Sequence, residues 1–259
     1  MLVSEIMLQQ TPVARVIPTY QAWLQRWPDA AALAGDSPGE AVRMWGKLGY
    51  PRRALRLHEC ARAVLDRFGG ELPADVDELL GLPGVGAYTA RAVAVFAFGQ
   101  RHPVVDTNVR RVVARAVLGS GEAAPAAPAR DHADVEALLP ADPHRAVGVS
   151  VALMELGALV CTARAPRCAA CPIAGGCAWR SAGAPAYDGP VARPQLFAGT
   201  DRQVRGLLLD VLRDNHGAVS RSQLDVVWHE PVQRERALAS LLADGLVHQH
   251  ADGRYTLPA

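Results

Sequence analysis

The chain has 259 residues, half of them apolar and a fifth charged, and a formal net charge of +1. That length buries a core in more than one domain and the composition excludes a disordered chain; no apolar run reaches the roughly 18 residues that a membrane-spanning helix needs. MLVSEIMLQQ has no cationic segment followed by an apolar core, so no secretory signal is expected, and the near-zero charge means that any nucleic-acid role rests on local patches.

Amphipathic segments follow one another with short breaks, and alternating β-branched runs are few. SEIMLQQT is a mostly apolar helix that carries Glu5. PTYQAWLQRW, GEAVRMWGKL and RRALRLHECARAVLDRF read as helices, the last with Cys60 as a buried free thiol. The short ADVDELL and the longer AYTARAVAVFAFG, TNVRRVVARAVL and VGVSVALMELGALV continue the pattern, interrupted by a surface loop at GSGEAAPAAPARD. SAGAPAYDGPVARPQLFAGT, residues 181–200, reads as a linker. DRQVRGLLLDVLRDNH, SRSQLDVVW and PVQRERALASLLADG are then helices, and LVHQHADGRYTLP alternates around Asp252-Gly253 as a hairpin. Helices ending in a hairpin predict a small winged-helix-like domain over 201–259. PVQRERALASLLADG is its candidate recognition helix and the hairpin its wing; the competing expectation is a packing module that binds no DNA. Basic residues cluster at Arg52, Arg53 and Arg56 and at Arg110, Arg111 and Arg115; each cluster by itself reads as a solvated helix face.

Four of the five cysteines, Cys161, Cys168, Cys171 and Cys177, fall in one stretch spaced C-x6-C-x2-C-x5-C. Disulfides are not expected without an export signal. Zinc sites come mostly as two short pairs, whereas four thiolates in a compact loop hold an iron–sulfur cubane; the spacing favours iron–sulfur and leaves zinc open.

LPGVGAYTA lies between a short helix and a long one. Gly84 and Gly86 permit a tight hairpin whose backbone N–H groups, with that of Val85, point outward at the positive end of the next helix. This suits a DNA phosphate and reads no base; an ordinary glycine turn is the alternative. About twenty residues on, HPVVDTNVRRV places Asp106 just before a helix, where it either caps the N-terminus or does chemistry.

The hairpin LPGVGAYTA, the aspartate of VVDTNV and the four-cysteine loop, in this order, resemble the helix–hairpin–helix DNA glycosylases. SEIMLQQT, LGY before an arginine-rich helix, and MELGALVCT resemble the A/G-specific adenine glycosylases among them (the MutY family), over Leu2 to about Trp179. The resemblance implies a mainly α, two-lobed fold over 1–180 with DNA across the cleft and a [4Fe–4S] cluster on the four cysteines that supports a DNA-contacting loop. It implies a monomer in the cytoplasm, on the nucleoid, acting on double-stranded DNA with 8-oxoguanine/A or G/A mispairs. The adenine is flipped out, because its glycosidic bond is unreachable inside a duplex.

The chemistry follows from residue types once the resemblance assigns positions. An adenine anion leaves poorly, so Glu5 would protonate N7, with an apolar pocket raising its pKa for the task. Asp106 would then stabilise or trap the oxocarbenium-like sugar, as in retaining glycoside chemistry, before water yields an abasic site. Tyr88 would assist by hydrogen bonding, and Asn108 would orient Asp106 or the DNA backbone. Relatives that resemble endonuclease III place a Schiff-base lysine where Tyr88 stands. The one lysine here is Lys47, outside the hairpin, so a monofunctional enzyme is expected. Gln10 and Thr11, with Leu48 and Tyr50, resemble the residues that wedge into the duplex and meet the oxidised guanine; the alternative for Leu48 and Tyr50 is a core role. Arg52 and Arg53 would contact phosphates.

Three departures stand out. Pro51 replaces a frequent second tyrosine. The family's preceding helix and Pro-Trp motif do not appear ahead of Met1, which leaves a misassigned start or a truncation and requires another cover for Leu2 and Ile6. Residues 201–259 are too short for the Nudix-like domain that helps many members recognise 8-oxoguanine. Thymine glycosylases acting on G/T mismatches share the tyrosine, the aspartate and the cluster, and are the nearest rival; a non-catalytic lesion-binding protein is the other.

Overall fold

Caps and glycines in the sequence set several helix boundaries in the computed structural model, which describes residues 1–187 and 197–259. In chain order the first helices are α1 (Leu2–Leu8), α2 (Val13–Arg26), α3 (Ala30–Ala34), α4 (Pro38–Trp45) and α5 (Arg52–Phe68), with a 3-10 turn at Gly46–Leu48. Asp29 caps α3 by accepting from the Ala32 N–H at 2.8 Å, and Ser37 caps α4, which has Pro38 in its first turn. Gly69, in the left-handed region at φ 64, ends α5. Next come α6 (Val76–Leu80), α7 (Ala87–Phe98), α8 (Thr107–Ala116), α9 (Pro128–Glu136) and α10 (Pro143–Glu155), a π turn at Leu156–Val160, and the short α11 (Ala178–Ser181). The last elements are α12 (Asp201–Asp214), α13 (Arg221–Asp225), α14 (Pro231–Ala243), β1 (His248–Gln249) and β2 (Tyr255–Thr256). The fold is mainly α, as the sequence predicts. Of the stretch expected to be a linker, residues 188–196 lie outside the described residues.

The chain divides into two compact units. One contains residues 2–73, 81–85 and 197–259. Its centre is the stack of Trp23 on Trp27 and Trp45, with ring centroids 4.6 and 5.9 Å apart. Leu2, Ile6 and Met7 of α1 are buried where α1 packs on α2 and α5, which supplies the cover that Leu2 and Ile6 need. In the same unit, α12, α13 and α14 are followed by the antiparallel pair β1–β2, and Val219 bridges to Tyr255. Helix, bridge, helix, helix and hairpin is the order of a winged helix. This module meets α4 closely: a Cβ on Gly39 would lie 2.3 Å from the Pro258 carbonyl oxygen. Arg43 donates to the Leu212 and Arg213 carbonyls, and Arg213 donates to the Val42 carbonyl, so each guanidinium sits at the negative end of the other's helix.

The second unit contains residues 74–80 and 86–187. Its core is a set of valines and alanines on α7, α8 and α9. Ala92, Val95 and Val104 pack with Tyr88, Val147 and Met154; Val109, Val113 and Val135 pack with Val105 and Leu153. Among the described residues, no helix is long and apolar enough to cross a membrane.

Candidate active site

In the second unit, Asp106 is the N-cap of α8. Its Oδ1 accepts from the Val109 N–H at 2.7 Å, and its Oδ2 accepts from Asn108 Nδ2 at 2.8 Å. The two readings of this aspartate are therefore compatible: the capping bond uses one oxygen and fixes the direction of the other. Asn108 Oδ1 in turn accepts from Arg111 at 2.8 Å. Arg111 also donates to the Gly157 carbonyl at 2.6 Å and the Cys161 carbonyl at 2.7 Å, so a continuous chain of hydrogen bonds runs from the first cluster cysteine to Asp106. Gly157 makes room for this join, because a Cβ there would lie 2.7 Å from Asn108 Cβ. Tyr88, one residue into α7, is half-buried on the Ala92–Val95–Val104 cluster of the same unit.

The four cysteines are free, half-buried and line one cavity, whose other walls include Val160, Pro166, Ala174 and Trp179. Arg115 is 4% exposed and sits beside it, its Nη1 3.6 Å from Cys161 Sγ. The same guanidinium donates to the Gly121, Thr162 and Ala163 carbonyls and lies over the Trp179 ring. Four thiolates and a cluster carry net negative charge, and a buried cation, held by these carbonyls and by Glu122 at 3.3 Å, lies beside it. The donor set thus fits an iron–sulfur group. Arg111 and Arg115 correct the expectation of a solvated face. They point inward because α8 turns its i, i+4 row toward the cysteine loop. The composition of TNVRRVVARAVL gave no sign of direction; the glycine of MELGALVC opposite, where α8 comes close, was the available signal.

The glycines form a tight hairpin, but Val85 does not point its N–H outward as expected, because the turn closes on it. Val85 N–H donates to the Leu82 carbonyl at 3.2 Å, Gly84 adopts φ 78, and Gly86 starts α7 with no side-chain cap on the first amides. A Cβ on Gly84 would lie 2.8 Å from Arg56 Cβ of α5, so the close approach requires glycine.

In the first unit, Glu5 lies on α1, half-buried. Beyond the end of α1, Gln10 (φ 56) and Tyr50 (φ 47) are exposed residues in the left-handed region, a conformation that costs on the order of 1 kcal/mol or more for a non-glycine and gathers at functional sites. Thr11 is buried, its Oγ1 3.3 Å from the Leu48 carbonyl and accepting from Arg53 at 2.8 Å. Three expectations change here. Leu48 is 5% exposed and belongs to the core, not to a protruding wedge. Thr11 organises the loop from inside. Arg53, expected at a phosphate, spends its guanidinium inside the protein: it donates to the Ile6, Met7, Gln9 and Gly49 carbonyls and lies over the Trp45 and Tyr50 rings. Burial pulls its pKa down to about 10, which leaves it charged at neutral pH. Arg52, in contrast, is exposed, 3.3 Å from Asp244.

The model of the HhH-GPD superfamily base excision DNA repair proteins matches residues 3–131, and that of the iron–sulfur binding domain of endonuclease III matches residues 161–177. The adenine DNA glycosylase of Mycolicibacterium smegmatis is 62% identical over 258 residues, covering 99% of this chain and 86% of that protein. Among solved structures, a thermostable thymine-DNA glycosylase is 29% identical with a TM-score of 0.61, covering 70% of this chain and 83% of that one. A non-covalent endonuclease III–DNA complex, 23% identical with a TM-score of 0.62 over 70% of this chain and 83% of that one, shares the fold.

Proposed function

The chain belongs to the adenine DNA glycosylases of the HhH-GPD superfamily, iron–sulfur enzymes of base excision repair, and from that premise we propose that it removes adenine mispaired with 8-oxoguanine or guanine and leaves the strand uncut. Glu5 delivers a proton to N7, so that adenine departs neutral. Asp106 faces the cationic sugar and lowers the energy of the transition state. Asn108 keeps the carboxylate from rotating, and Tyr88 hydrogen-bonds at the reacting nucleotide. Gly84 and Gly86 offer backbone N–H groups to a phosphate, and Gln10, Tyr50 and Arg52 engage the duplex around the mispair. Cys161, Cys168, Cys171 and Cys177 would hold the [4Fe–4S] cluster, which supplies a structural crosslink to the loop. Residues 1–180 act as the glycosylase domain, 181–200 as a linker and 201–259 as a winged-helix-like module, in a monomeric enzyme of the nucleoid.

The observation that carries this reading is the double tether of Asp106, one oxygen to the Val109 N–H and the other to Asn108. A carboxylate so held is aimed before substrate arrives, which is how electrostatic stabilisation avoids a reorganisation cost. Single-turnover base release from 8-oxoguanine/A, G/A and G/T duplexes tests it. Asp106→Asn keeps an acceptor for the cap yet loses the charge, so it is expected to bind the mispair and release adenine on the order of 10³-fold more slowly. Glu5→Gln is expected to fall by about 10²–10⁴-fold. No borohydride-trapped adduct is expected, since Tyr88 offers no amine. Faster thymine than adenine release would establish the rival substrate, and tight binding with no release would establish a non-catalytic binder.

A further inference from the structure

An arginine that only ties a loop down needs carbonyl partners. Arg115 has, in addition, a sulfur and a carboxylate. Its Nη1 lies 3.6 Å from Cys161 Sγ, and its Nη2 lies 3.3 Å from a Glu122 carboxylate oxygen. Its own backbone carbonyl oxygen lies 3.6 Å from Cys177 Sγ, so one residue touches the first and the last cysteine of the loop. The side chain is buried, and the Trp179 ring covers it, with the guanidinium carbon 5.0 Å from the ring centroid. Burial removes the water that would screen this charge, so the nearby sulfur feels it. Arg180 lines the same cysteine cavity in a different setting. It is exposed, and its Nη1 reaches only the Cys168 carbonyl, at 3.5 Å.

The potential of a thiolate-held iron–sulfur cluster depends on its net charge, on hydrogen bonds to its sulfurs and on solvent exposure. A cation donating to Cys161 Sγ favours the electron-rich state. When the cluster passes one electron to an outside acceptor, its charge becomes more positive by one beside a guanidinium that cannot give up its own charge. Glu122 works against this, because its carboxylate cancels part of the guanidinium's field. At 38% exposed, it does so under partial screening by solvent. We propose that Arg115 sets the reduction potential of the cluster and guards it against one-electron oxidation, with Glu122 as the counterweight. The proposal rests on the cluster assigned above to Cys161, Cys168, Cys171 and Cys177. It adds an electrostatic task to a residue whose carbonyl contacts alone would make it a scaffold.

Voltammetry of the full, iron-loaded chain tests it, with bleaching of the cluster by ferricyanide, a one-electron acceptor, as a second readout. Arg115→Gln keeps a side-chain N–H donor and loses the charge. At a fixed potential its oxidised-to-reduced ratio is expected to rise about tenfold, which is a fall of about 59 mV in midpoint for one electron, and ferricyanide should bleach it faster. Glu122→Gln is expected to move the midpoint the other way by a smaller amount. Arg180→Gln should leave the ratio within about twofold, because solvent and salt screen its charge. Glu122 bonds none of the loop carbonyls that Arg115 gathers, so Glu122→Gln carries the test alone if Arg115→Gln fails to load iron. A loaded Arg115→Gln with the wild-type midpoint overturns the proposal, and so does a Glu122→Gln midpoint that stays or falls. A shift in Arg180→Gln as large as that in Arg115→Gln also overturns it, since any neighbouring cation would then serve. Wild-type protein that binds no iron removes the cluster assignment and this proposal together, whereas iron-loaded wild type with unmoved variants removes this proposal alone.

Discussion

Arg53 in one unit and Arg111 in the other are both guanidinium groups that gather oxygens from segments distant in sequence, yet their surroundings differ. Arg53 gathers the end of α1 and the Gly49 carbonyl, with Trp45 and Tyr50 as covers, all from rigid helices and their adjoining turns. Arg111 gathers Asn108, Gly157 and Cys161, and the last of these opens a loop with little regular structure whose cysteines form its own cavity. The first hub is sustained by packing. The second depends on whatever holds the cysteine loop. A guanidinium suits both because its planar fork binds several carbonyls at once.

Removing the cluster tests that contrast with the largest expected effect. Loss of the metal group, by Cys168→Ser or by oxidative disassembly, is expected to lower the opening free energy of amides in 107–116 and 156–177 by on the order of 5 kcal/mol in hydrogen exchange. Amides of α1 and α5 should keep their protection. Equal loss in both units would mean that the two hubs do not differ in this way.

Arg53→Ala comes next. It leaves a ring of carbonyls without donors and a void beside Trp45, and about 3 kcal/mol is expected in urea denaturation. Arg53→Lys should recover less than half, since one ammonium cannot reach both α1 and Gly49. If Arg53→Ala leaves stability unchanged and weakens only DNA binding, then the phosphate role expected from sequence is correct.

These hubs mark the limit of what the sequence tells a reader. Helix α5 was legible from Arg52 to Phe68, because Pro51 and Gly69 bracket an amphipathic run. The hairpin, Asp106 and the four cysteines were legible because their residue types have few other uses at those spacings. The short α3 and α9 were not, since Ala-rich and Ala/Pro-rich text resembles a loop; Asp29 and Pro128 were the overlooked starts. The direction of an arginine was least legible of all. Arg53, Arg111 and Arg115 read as surface charge because composition carries no information about which carbonyls the fold leaves waiting.

Two glycines extend the comparison at a smaller scale. A Cβ on Gly157 would press on Asn108, whereas one on Gly39 would press on Pro258 at the end of the winged-helix module. Each Gly→Ala change is expected to cost about 1–3 kcal/mol. Their functional effects should separate: Gly157→Ala slows adenine release by displacing the start of α8, while Gly39→Ala leaves the rate of release near wild type.

The smallest effect concerns acid stability of the second unit. Burial, followed by the charge of Arg91, holds the pKa of His102 below its ordinary value, and His132 is lowered by the same two causes in the same order. A histidine whose folded pKa is depressed binds its proton more readily when unfolded, so stability is full above about pH 6.5 and falls as pH drops below it. Arg91→Gln removes the shared repulsion without touching the burial. The unfolding midpoint of this variant should therefore decline less steeply than wild type between about pH 7 and 5, with no change above pH 7.5 from these groups. The unit built around Arg53 contains neither histidine, so amides of α1 and α5 should show the same pH dependence in both proteins. A flattening that appeared there as well would tie the two units into one cooperative block and remove the distinction between the hubs.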